Sequence, residues 1–145
     1  MQQWVQNGWL KPHKTSAQEI ENLIAIVNRD MEDASKDISA DWRFGIAYNA
    51  ALKLATILLA AEGYRPERAL QHYRTLQAIP LIMGEEYREA ADFLDPCRLK
   101  RNTAEYEYAG AITNEDVQTL VDFVKEFSAA VMKWLSDQHP ELIGG

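Results

Sequence analysis

With 145 residues, 47% of them hydrophobic, and four tryptophans, the chain is long and apolar enough to bury a core of its own, which excludes a disordered polymer. Its 22 acidic residues outweigh 15 basic ones for a net charge of −7, so bulk charge does not attract nucleic acid and any phosphate contact must come from a local basic cluster. A single cysteine, Cys97, excludes an intramolecular disulfide, and with no histidine beside it in sequence it reads as a packed thiol rather than a nucleophile.

In chain order, Met1 to Leu10 lacks a basic stretch followed by an apolar run, so no signal peptide is expected. Residues 1–15 form an aromatic-containing segment, and Trp4, Val5, Trp9 and Leu10 are expected to pack back onto the body in preference to serving as a partner-binding arm. Ser16-Ala17-Gln18-Glu19 fits a capping box, and Ile20, Leu23, Ile24, Val27 and Met31 follow at helical spacing, predicting a helix over about 16–36. A second helix, about 41–62, starts near Asp41 and stops at Gly63; it is apolar on most sides and so belongs at the centre of a bundle. The apolar stretch from Ala47 to Ala61 is broken by Asn49 and Lys53 and is too short to cross a bilayer, so no membrane association and a cytoplasmic location are expected.

Pro66 suits the first position of a third helix, with Leu70, Tyr73 and Leu76 as its face, and Pro80 is expected to kink or end it. The pattern resumes at Glu85 through Tyr87, Ala90, Ala91 and Leu94. Pro96 then either kinks a continuous helix or opens a new one capped by Asp95, and the new turn is the favoured reading. Gly110 ends that segment. Thr113-Asn114-Glu115-Asp116 caps a last helix of about 114–138 with the stripe Val117, Leu120, Val121, Val124, Phe127, Val131, Trp134 and Leu135. Pro140 and Gly144-Gly145 close a short tail, 139–145. No period-2 run is present, so no strand is expected. The prediction is an all-α, up-and-down bundle of four to five helices, with one domain over 16–138.

The segment from Arg101 to Tyr108 reads Arg-x4-Tyr-x-Tyr. It resembles the Arg-x4-His-x-Tyr signature of the HEPN family, small all-helical proteins that include RNA-cleaving toxins, with Tyr106 standing where that signature has histidine. The helix order adds to the resemblance: a capped first helix, an alanine-rich buried helix with the aromatic start Trp42 to Tyr48, then Gly63, a proline, His72, the motif and a final amphipathic helix. What the resemblance implies is a homodimer with the two motif segments facing each other, no cofactor, and RNA or a small nucleotidyltransferase-fold antitoxin as partner. Other members are non-catalytic adaptors or RNA-binding modules.

RNA cleavage without a metal needs a proton-transfer group titrating near neutrality and positive charge for the phosphorane-like transition state. Arg101 meets the second need by gripping phosphate oxygens in a fork, and Arg98 and Lys100 lie beside it in sequence. Tyrosine titrates near 10, so Tyr106 is a poor base, and general acid–base help worth about 10²–10⁴ in rate is lost. Tyr106 and Tyr108 remain suited to stacking on a base or bonding a phosphate, with Asn102 orienting Arg101. The expectation is therefore a binding module with a degenerate ribonuclease-type motif. A toxin-type endoribonuclease, with His72 or another group supplying the proton transfer, is the alternative; a plain protein-interaction bundle is the second alternative. In that last reading Arg101 and Glu105 form an ordinary i,i+4 surface pair and the tyrosines are core or rim aromatics.

Other chemistry is less favoured. Glu86, Glu89 and Asp92 stand at i,i+3 spacing that can hold Mg²⁺, but Arg88 within the run favours a solvated face, so no metal site is assigned. His13, His72 and His139 lack ligand-type partners one turn away, and no Glu-x-x-His pair, glycine-rich phosphate loop or nucleophile elbow is present.

Overall fold

Six α-helices and one short β-ribbon make up the described part of this computed structural model, which covers residues 2–67, 72–106 and 110–143, with residues 103–106 described by their backbone alone. The chain runs through α1 (Gln2–Gln6), β1 (Leu10–Pro12), α2 (Ala17–Asp33), α3 (Ala40–Ala61), β2 (Tyr64–Pro66), α4 (His72–Met83), α5 (Arg88–Tyr106) and α6 (Asn114–Gln138). Single 3₁₀ turns at Glu85–Tyr87 and Pro140–Leu142 precede α5 and follow α6. It is an all-α helical bundle, as its periodicity predicts.

Two helix starts follow the sequence signals closely. The Ser16 hydroxyl accepts from the Glu19 amide at 3.1 Å and opens α2, but the Glu19 carboxylate turns to His13 instead of completing the box. Thr113 and Asp116 form both halves of a capping box at the start of α6, each bond 3.0 Å long. Helix α3 starts at Ala40, within a residue of the expected Asp41, and Ser39 is its cap, accepting from the Trp42 amide at 3.3 Å. That leaves the Asp41 carboxylate free of capping and available to the chain that follows the motif.

Helix α3 packs against α2, α4, α5 and α6. Phe44, Ala47, Tyr48, Ala51, Leu54, Leu58 and most of its other residues are buried, which explains an apolar surface on nearly every side. By length and composition it resembles a membrane span, yet 72% of its most apolar window lies inside the bundle. Gly63 ends it with φ +88°, a conformation that favours glycine at the C′ position.

Three expectations fail here: that no strand is present, that Pro66 opens a helix, and that Pro96 opens a new one. The chain does contain strands: β1 and β2 pair antiparallel in the register Leu10↔Pro66, Lys11↔Arg65, Pro12↔Tyr64. Three residues are too few to show a period-2 pattern, and the pairing joins positions more than fifty apart. Pro66 accordingly sits in β2 rather than opening a helix. Pro80 is buried inside α4, which runs on to Met83. Pro96 lies within a continuous α5 rather than opening a new helix, so Arg101 to Tyr106 occupy the last turns of a long helix. A proline removes one backbone bond and clashes with the preceding turn, at about 3 kcal/mol. Burial of Ala91, Leu94 and Cys97 along the same helix holds it together against that cost.

The N-terminal segment packs back. Trp4 and Trp9 meet edge to face at 5.8 Å, the Arg74 guanidinium covers the Trp9 ring, and Leu10 joins Leu59 and Ala78 in a small apolar cluster flanked by Trp4 and Val5. Leu70, expected on the face of the third helix, lies outside the described residues, as do Met1 and Gly144-Gly145.

Candidate functional site

Arg101 sits five residues before the end of α5, where its guanidinium carbon lies 5.6 Å from the centre of the Tyr48 ring on α3. Tyr48 is fully buried, and its hydroxyl has no hydrogen-bond partner among the described residues. Burial pushes that phenol up to about 12, against the opposite pull of Arg98 and Arg101. The His72 ring, at the first residue of α4, lies 6.4 Å from the same tyrosine. Burial of that ring lowers its pKa below the usual histidine value, and the charges of Arg101, Arg98 and Lys53 lower it further.

Arg98 completes the group from one helical turn before Arg101. It binds Asp95 through two nitrogens, both at 3.0 Å, and its guanidinium carbon stands 5.7 Å from the Tyr73 ring centre. Three helices thus bring Tyr48, Lys53, His72, Tyr73, Arg98 and Arg101 into one neighbourhood. Among the described residues, Lys53, Arg98 and Arg101 bring positive charge to this corner of an acidic chain, with Asp95 paired to Arg98.

The remaining sequence candidates divide. Lys100 does not join the arginines: it turns to the other side of α5 and binds Asp116 at 2.9 Å. There it borders a groove of about 370 Å³ lined by Phe44, Phe93, Pro96, Cys97 and Leu120. Asn102 is half-buried beside Arg101. The backbone of Tyr106 ends α5, while its side chain, that of Glu105, and the whole of Tyr108 lie outside the described residues. The segment after the motif is tied down at its far end, where the Gly110 amide donates to Asp41 Oδ2 at 2.8 Å.

Cys97 is buried and its thiol is pushed up to about 11 by that burial, which keeps it neutral and matches a packed thiol. His13 pairs with Glu19 at 2.8 Å, and His139 lies between Glu62 at 2.7 Å and Glu141 at 3.3 Å. Glu85 pairs with Arg88, and Glu86, Glu89 and Asp92 are exposed. Among the described residues no three His, Cys, Asp or Glu side chains come together as a metal-holding group.

Comparison with protein-family models, with curated proteins and with solved structures finds no match for the chain. The site is therefore described by its own chemistry: two guanidiniums and an ammonium suited to a phosphate or carboxylate, beside an imidazole held neutral. Tyr48, Lys53 and Tyr73 are the members that sequence reasoning missed, with Tyr73 legible only as part of a helix face. A tyrosine in an otherwise alanine- and leucine-rich helix was the available signal for the first; the second was visible only as a charge interrupting an apolar run.

Proposed function

We propose that the chain is a HEPN-like helical binding module, dimeric through its motif face, whose degenerate ribonuclease-type motif contacts RNA or an acidic surface of a partner such as a nucleotidyltransferase-fold protein. The observation that carries this reading is the gathering of Arg98, Arg101 and Lys53 around His72 and Tyr48 on a protein of net charge −7. A cluster of that kind supplies a local positive field on a chain whose bulk charge is acidic. Arg101 is the phosphate-gripping group, Arg98 supports it from the Asp95 pair, and Tyr106 stands where proton transfer would need a group titrating near neutrality.

A second reading, the metal-independent endoribonuclease, draws support from one feature. His72 shares Tyr48 with Arg101 and is held neutral, so it is in the form that takes a proton from a 2′-hydroxyl. The proton would pass from the 2′-oxygen to the imidazole as that oxygen attacks phosphorus and the bond to the 5′-oxygen breaks, with water protonating the leaving oxygen.

Binding of a labelled RNA by the metal-free protein, compared with Arg101→Ala, tests the first reading. Loss of a phosphate contact should weaken binding across sequences and reduce the salt dependence by about one counterion. Equal binding by the two proteins sinks it. Cleavage by the wild type that disappears in His72→Ala moves the conclusion to the second reading. A monomer in sedimentation at all concentrations removes the dimeric part.

A further inference from the structure

Trp42, on the first turn of α3, is 69% exposed, the most open large apolar side chain among the described residues. Trp42, Ile46, Asn49 and Lys53 follow at spacings of four, three and four, which places them within a narrow stripe on one face of α3. From Trp42 to Lys53 the stripe spans eleven helical steps, about 16 Å along the helix axis. At its far end Lys53, like Arg98 and Arg101 on α5, is near enough to His72 for its charge to lower that ring's pKa. Its Trp42 end lies beside the Asp41–Gly110 bond, where the chain leaves the motif. Tyr73, 46% exposed, stands on the other flank of Arg98. An open aromatic face at each side of a cationic cluster is the pattern that binds an unpaired strand: the backbone follows the charges and exposed bases stack on the rings.

We propose that this surface, from Tyr73 past Arg98, Arg101 and Lys53 to Trp42, is a track for single-stranded RNA on which Trp42 stacks a base. The inference rests on the RNA-binding reading above and adds to it the strandedness of the ligand and the residue that grips a base. A duplex fits poorly, because its bases are stacked on one another and unavailable to Trp42.

The test is anisotropy of a 5′-labelled twelve-nucleotide uridine-rich RNA, single-stranded and annealed to its complement, with the wild type, Trp42→Ala, Trp42→Phe and Arg101→Ala. Single-strand binding should weaken about 5- to 150-fold in Trp42→Ala, the fold-change equivalent of one lost base stack. Trp42→Phe should retain most of the affinity, and the duplex should bind more weakly than the strand. If Trp42→Ala binds like wild type while Arg101→Ala does not, the track is overturned and the phosphate contact stands. If Arg101→Ala also binds like wild type, both fall. A Trp42→Ala protein that changes from dimer to monomer with unaltered RNA affinity assigns the tryptophan to a copy-to-copy interface and overturns the track.

Discussion

At the scale of single residues, the Tyr48 hydroxyl is the least expected feature of the core. A buried phenol without a partner among the described residues carries a desolvation cost of about 1–3 kcal/mol. Tyr48→Phe is therefore expected to leave stability unchanged or to raise it by up to about 1 kcal/mol in urea unfolding; a loss above about 1.5 kcal/mol would reveal a hydrogen bond the hydroxyl makes. His72 gives a pH-dependent counterpart. Its folded pKa lies below the ordinary 6.5, so the unfolded chain takes up the proton first as pH falls. Its contribution is intact at neutral pH and is lost as pH falls through 6.5 toward the folded value. Between pH 7.5 and 5, wild type should lose more stability than His72→Gln; parallel losses would mean that the ring is not held neutral. None of this was legible in the sequence. Tyr48 and Arg101 are more than fifty positions apart, and only the antiparallel passage of α5 along α3 makes them neighbours.

Elements were legible to the degree that their signals are local. Capping serines and threonines act within one turn, and the 3.6-residue stripe of α6 repeats seven buried residues along one face, so the start of α2 and both ends of α6 were placed nearly to the residue, while α2 stops three residues short of the expected 36. Thr113→Ala should cost about 1 kcal/mol by removing the hydroxyl that takes the Asp116 amide, measured as a shift of the urea midpoint at constant slope. Proline gave the opposite lesson. Its local cost argued for a break at Pro96, and tertiary burial on the flanking turns decided otherwise. Pro96→Ala separates the two cases: in a continuous α5 it stabilises the protein by about 1–3 kcal/mol, whereas at the first position of a separate helix it would give no gain. The ribbon of β1 and β2 was invisible because each strand is three residues long and its partner is distant.

For the whole molecule, an all-α bundle followed from the periodicity of its helices, and the position of Arg101 to Tyr106 at the end of α5 followed from the fold. What the fold adds is the company the motif keeps. Arg101 and Arg98 share their corner with His72 and Tyr48, Lys100 has turned away to Asp116, and the exposed Trp42 lies along the same face of α3 as Lys53. The account claims a phosphate-gripping site whose motif position lacks a competent proton carrier. Metal-free incubation of a labelled single-stranded RNA with wild type, Tyr106→His and Tyr106→His/Arg101→Ala tests that claim most directly. The account predicts binding without cleavage by wild type, cleavage gained in Tyr106→His, and its loss when Arg101 is also removed; cleavage by wild type at the rate of Tyr106→His would contradict it.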